Sequence, residues 1–237
     1  SKLMERIVKD WLTAQFTLHN PLSSLQHGFL PGRSTVSNLL ACTSDWTLAM
    51  DSGKLVDVIY IDVSKAFDSV SHYKLLQKLR QKNVPAPLYN WISAFIFERT
   101  QRVKVRQSLS DPVLVTSGVP QGSVLGPLLF VLFMDDLPTV VKHCKVQIYA
   151  DDTKIYLCYD RNVDPNLLQE DLDAIIRWFE AWSLKVAVDK CSVLHISSND
   201  HQPTYEFTIA GQVVPFVQDN VRDLGVLVSK NLSWKNN

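Results

Sequence analysis

A chain of 237 residues, 46% hydrophobic and 20% charged, can bury one substantial core with at most a small appended lobe. Its 24 basic and 24 acidic residues cancel, so bulk charge does not mark a nucleic-acid binder, and any attraction to phosphate has to be local. The four cysteines, Cys42, Cys144, Cys158 and Cys191, lack paired metal-ligand spacing, which argues against zinc and for reduced thiols in a soluble, intracellular protein.

In chain order, the opening Lys2-Leu3-Met4-Glu5-Arg6-Ile7 is amphipathic and carries no signal-peptide pattern. Apolar periodicity predicts helices over 2–18, 34–51, 71–82, 86–98, 124–137 and 165–183, the second capped by Ser34 or Thr35 and stopped at Gly53. Strand patterns fall at 56–63, 101–107, 112–117, 145–150, 153–159, 190–197, 204–209 and, with a break, 213–228. Hairpins mixed with helices predict an α+β fold rather than an alternating parallel sheet. Asp135 and Asp136 interrupt the longest apolar run, so no membrane span is expected. Trp178, Phe179 and Trp182 are spaced as one apolar helix face, which predicts core packing rather than base stacking.

The chemistry concentrates at Gln147-Ile148-Tyr149-Ala150-Asp151-Asp152-Thr153-Lys154-Ile155, two adjacent carboxylates at a predicted hairpin tip. By strand alternation Val146, Ile148 and Ala150 point one way and Gln147, Tyr149 and Asp151 the other, which takes Asp151 off the core face. Asp pairs are also ordinary turn residues. A further carboxylate, Asp62, ends an earlier strand pattern and opens Asp62-Val63-Ser64-Lys65-Ala66-Phe67-Asp68. If the two strands are neighbours, three acids converge, and hard oxygen ligands of this kind suit Mg²⁺. Asp68, with Ser69 and Ser71, is expected to cap the helix that follows. Arg102, Lys104 and Arg106 would share one strand face, either following nucleic-acid phosphates or lying in solvent.

The order of Gln26-His27-Gly28-Phe29-Leu30-Pro31-Gly32-Arg33-Ser34, the Asp62 segment, Val119-Pro120-Gln121-Gly122 and Tyr149-Ala150-Asp151-Asp152 resembles the reverse transcriptase of non-LTR, LINE-type, jockey-like retrotransposons. The similarity continues through the 182–191 segment and Val221-Arg222-Asp223-Leu224-Gly225-Val226, which looks like a primer-grip hairpin. The resemblance implies a polymerase palm, an antiparallel sheet backed by helices over 56–237, preceded by partial fingers over 1–55 with the thumb largely absent. It implies two Mg²⁺ ions, with Mn²⁺ as a substitute, held by Asp62 and Asp151, by Asp152 as an auxiliary ligand and by the Val63 carbonyl. Phe67, which read alone is an ordinary core aromatic, would lie under the incoming sugar and exclude a 2′ hydroxyl. Gln121 and Gly122 would position template and nucleotide, and Lys190 would approach the triphosphate. Leu224 and Gly225 would contact primer, and Arg33 would face phosphate or pair within the fold. The implied partners are an RNA template, a DNA primer and deoxynucleoside triphosphates, with nuclear access by family analogy.

Three departures accompany the match. The family's basic segment before Ser1 and its helical thumb after Asn237 are expected to lie outside the chain, and Ala187 stands where relatives commonly carry Asn. The competing readings are an RNA-directed DNA polymerase core, an inactive relic that still holds nucleic acid, and an RNA-dependent RNA polymerase. The aromatic at Phe67 speaks against the last.

Overall fold

The computed structural model describes residues 2–160, 162–197 and 203–233. Helices α1 (Lys2–Leu18) and α2 (Thr35–Asp51) precede strand β1 (Leu55–Ile61), and the short α3 (Ala66–Ser69), α4 (His72–Gln81) and α5 (Ala86–Ile96) follow it. Four two-residue strands come next: β2 (Thr100–Gln101), β3 (Lys104–Val105), β4 (Ser108–Leu109) and β5 (Val113–Leu114). After α6 (Gly126–Met134) and a 3₁₀ turn at Leu137–Val140 come β6 (Lys145–Tyr149), β7 (Asp152–Tyr159) and α7 (Asn166–Ala181). A 3₁₀ turn at Val188–Lys190 leads into β8 (Ser192–Ile196), then the hairpin of β9 (Phe207–Ile209) with β10 (Gln212–Val214), and that of β11 (Asn220–Asp223) with β12 (Val226–Ser229).

The helix ends follow local chemistry. Ser34 caps α2 through a reciprocal bond with Ser37, each side chain accepting from the other's main-chain N–H. Pro127 enters α6 at its first turn, where a missing N–H costs nothing. The N–H groups of Val124 and Leu125, just before α6, are taken up by the buried carboxylate of Glu5, 2.7 and 3.3 Å away on α1.

The central sheet is antiparallel throughout, in the order β6-β7-β1-β8. Ile59, Ile155 and Val193 lie side by side on one face and join Leu129, Phe130 and Phe133 of α6 and Leu172, Ile175 and Phe179 of α7 in one core, with Val8, Leu12 and Phe16 of α1. The opposite face carries Val56, Val58, Tyr156, Leu194 and Ile196, packed against Cys42, Trp46 and Ala49 of α2 and Val228 of β12. The sheet is thus covered on both faces rather than backed on one. That is why Gln147, expected off the core face, is buried, and why Thr153 through Leu157 are buried in an unbroken run. Among the described residues no helix is long and apolar enough to cross a membrane.

Two expected elements are corrected. The run 101–107 is not one strand: β3 and β4 pair Lys104 with Leu109 and Val105 with Ser108, so the chain must reverse at Arg106, whose φ is +55°. Arg102 lies between β2 and β3, outside either ladder. The three cations are all exposed but do not share a face by alternation. The strand expected over 190–197 starts later, at Ser192, because Lys190 closes the 3₁₀ turn before β8.

Candidate active site

Strand register builds the site. Ile61 pairs with Thr153 on the central ladder, which brings Asp62, one residue beyond β1, level with Asp152 at the start of β7. The β6–β7 hairpin closes at Tyr149 and Asp152, leaving Ala150 and Asp151 as a two-residue turn with Ala150 at φ +57°. The adjacent-strand condition for three converging acids is therefore met.

These carboxylates feel one another. Burial, and after it the charge of Asp62, pushes the Asp151 carboxyl above its ordinary range against a bond with its own main chain. Asp152 is pushed up to about 6 by burial and then by the charges of Asp151, Asp223 and Asp62, with Lys154 opposing. Like charges held this close disfavour joint ionisation, and a cation between them relieves the repulsion. Lys190 supplies part of that relief, its Nζ lying 3.7 Å from Asp62 Oδ1.

A cleft opens beside the acids, lined by Asp62, Asp152, Tyr149, Lys154, Lys190 and Leu224. Leu224 reaches it because β11 and β12 close at Asp223 and Val226, with Leu224 at φ +47° and Gly225 at φ +92°. Two left-handed residues make the tight hairpin turn that matches strand twist. The hairpin is fastened to the sheet by an ion pair between Lys154 of β7 and Asp223 of β11, 2.5 Å apart and each 5% exposed. This pair was not foreseen in the sequence, where its members stand 69 residues apart.

Phe67 sits in α3, its ring stacked 4.1 Å from Phe130 and met edge-on by Phe29 at 6.0 Å. It packs against the core yet remains partly exposed. Gln121 and Gly122 are exposed in the loop before α6, Gly122 at φ +77°. Asp68 does not cap α4; its Oδ1 accepts from Gln121 Nε2 at 2.8 Å, joining the segment after β1 to the loop before α6. Arg33 donates to the Ser24 carbonyl, while Arg102, Lys104 and Arg106 lie outside the cleft lining. Val63 is buried and bridges Val186, and the Asp62 carbonyl accepts from Ala187 N–H at 2.9 Å.

Among the described residues no group of three or more His, Cys, Asp or Glu side chains is placed to hold a metal ion. Carboxylates such as Asp62 and Asp151 are the hard oxygen donors that Mg²⁺ takes, one or two at a time, together with waters and substrate phosphates rather than in an all-protein cage.

The family described as reverse transcriptase (RNA-dependent DNA polymerase) matches residues 1–228. The chain is 36% identical over 200 residues to a probable RNA-directed DNA polymerase from transposon BS of Drosophila melanogaster, covering 80% of this chain and 22% of that protein. It is 32% identical over 200 residues to the RNA-directed DNA polymerase from mobile element jockey of the same species, covering 81% and 22%. The chain thus spans less than a quarter of the length of these relatives. In fold it resembles telomerase from Candida albicans, with a TM-score of 0.66 at 13% identity over 98% of this chain and 37% of that one.

Proposed function

The chain belongs to the reverse transcriptase (RNA-dependent DNA polymerase) family, and from that premise we propose that it is the nucleotidyl-transfer core of a non-LTR retrotransposon polymerase. It extends a DNA primer along an RNA template with deoxynucleoside triphosphates. The observation that carries the reading is the register that sets Asp62 beside Asp152 at the turn bearing Asp151.

In this reading Asp62 and Asp151 are the principal ligands of two Mg²⁺ ions, or Mn²⁺ in their place, with Asp152 and the Val63 carbonyl as auxiliary donors. When bound, the ions stabilise the attacking primer oxygen and the leaving phosphate oxygen together. Lys190, already beside Asp62, adds positive charge where the triphosphate lies. The Phe67 ring, braced from behind by Phe130, forms the floor under the sugar and leaves no room for a 2′ hydroxyl. Gln121, oriented by Asp68, and Gly122 meet the template and the incoming base, and the absence of a side chain at Gly122 allows close backbone approach. Leu224 and Gly225 contact the primer end. Arg102, Lys104 and Arg106 give local positive charge for the nucleic-acid backbone; Arg33 serves the loop that carries it. Residues 1–55 act as fingers and 56–237 as palm, and the synthesis takes place in the nucleus.

Primer extension on an RNA template with Mg²⁺ tests this. Incorporation of deoxynucleotides and not ribonucleotides is expected; equal use of both would refute the sugar selection assigned to Phe67, and no extension would refute the polymerase reading for this chain.

A further inference from the structure

The loop that passes the catalytic turn makes contacts that neither metal binding nor nucleotide binding explains. Gln26 is 1% exposed, and its side-chain amide is spent on main chain. Its Oε1 accepts from Ala150 N–H at 2.9 Å and from Gly28 N–H at 2.7 Å, while its Nε2 donates to the Ala150 carbonyl at 3.3 Å. Ala150 sits inside a two-residue turn, beyond the closing Tyr149–Asp152 pair, so the hairpin ladder does not engage its N–H and C=O. It is also left-handed at φ +57°, a conformation that disfavours any residue with a Cβ. One amide, with one acceptor and one donor in reach, satisfies both groups and holds that conformation.

The main chain runs with the side chain. Leu25 accepts from Ile148 N–H at 3.0 Å and Ile148 accepts from His27 N–H at 2.8 Å, so the loop lies as a parallel neighbour on the outer edge of β6. Gly28 then crosses so close that a Cβ there would stand 2.4 Å from Ala150 N. His27 Nδ1 lies 2.7 Å from Ser37 Oγ, tying the loop to α2.

One residue further on, Phe29 is also left-handed, at φ +57°, and 48% exposed. Its ring meets Phe67 edge-on, on a ring whose stacking partner is Phe130. A bulky residue held in a strained conformation with half its surface in water is not explained by burial, and such strain gathers at functional sites.

We infer that residues 25–29 form a strap in which Gln26 positions the Ala150–Asp151 turn and Phe29 positions the Phe67 ring, so that one loop sets both the catalytic geometry and the sugar selectivity. The inference rests on the polymerase reading above, and its test keeps the two apart.

Amide hydrogen exchange reads the first half without any activity. In Gln26→Met the Ala150 amide is expected to exchange about tenfold faster, with β1, β7 and β8 unchanged. Gly28→Ala, which crowds the same atom from the other side, is expected to do the same. Unchanged protection at Ala150, or a uniform loss across the sheet, would overturn the strap. Kinetics read the second half: Gln26→Met lowers kcat by about a hundredfold with little change in nucleotide KM. Phe29→Ala shifts the deoxy/ribo preference about tenfold toward ribonucleotides, and Phe29→Tyr restores it. Selectivity untouched by Phe29→Ala would overturn that half. Should the unaltered chain extend no primer, the polymerase reading falls, while hydrogen exchange still decides whether Gln26 holds the turn.

Discussion

Individual side chains here often do work that local sequence does not announce. Lys78 lies on the buried side of α4, its Nζ 3.7 Å from the Trp182 ring centroid and 4.7 Å from that of Trp178, and it pairs with Asp136. Burial outweighs the help of Asp136 and pulls the ammonium down to about 8 from an ordinary 10.5. Between those values the unfolded chain binds more protons than the folded one, so this group makes stability rise with pH across the window. Lys78→Met is expected to abolish that rise. Urea midpoints measured on either side of the window check it, and a slope equal to that of the unaltered chain would contradict it. The apolar face of Trp178, Phe179 and Trp182 was legible from spacing; the cation enclosed by two of these rings was not, because Lys78 reads as a polar position on its own helix. Asp68 teaches the same lesson in reverse. Its place before α4 reads as a cap, yet it bonds Gln121, 53 residues on.

Elements are joined by a few polar fasteners. The Lys154–Asp223 pair locks the β11–β12 hairpin over the sheet beside the carboxylates. Removing one partner leaves a buried charge, so Lys154→Met is expected to cost about 3–5 kcal/mol, whereas Lys154→Met with Asp223→Leu recovers most of it. A double-mutant cycle by chemical denaturation reads the coupling, and additive losses would show that the pair does not act as a unit. On the far side, Asp171 of α7 receives the N–H groups of Lys142, His143 and Cys144 at 2.9, 2.7 and 2.7 Å. Burial pushes this carboxyl up, but the three donors prevail and hold it below its usual range. Its contribution is present at neutral pH and is lost as pH falls through the folded-state value. Asp171→Ala is therefore expected to cost about 3 kcal/mol near neutrality, with the difference from the unaltered chain shrinking in acid; an undiminished difference would count against the account. The helices were legible to within a few residues because their apolar faces repeat. The basic run at 101–107 misled because alternation of residue type cannot tell one strand from a nested hairpin that reverses at Arg106.

At the scale of the whole molecule, motif order and the α+β class were legible, as were the hairpin turn with its acids and the second hairpin turn at Leu224 and Gly225. What escaped the sequence were couplings between distant segments: Glu5 meeting the start of α6, Lys154 meeting Asp223, and Gln26 meeting Ala150 across 124 residues. Such pairs leave no periodic trace, since each member satisfies a geometric need created only when the sheet is covered on both faces. Two of those couplings, Lys154 with Asp223 and Gln26 with Ala150, flank one place, the end of β1 and the start of β7. The proposed phosphoryl transfer takes place there, and the most direct measurement compares Mg²⁺-dependent primer extension by the unaltered chain with that of Asp151→Asn, thermal melting confirming that both are folded. Replacing a carboxylate by its amide keeps the size and removes the charge. Extension is expected to fall at least about a hundredfold while the melt is retained; extension undiminished in a folded Asp151→Asn protein would contradict this assignment.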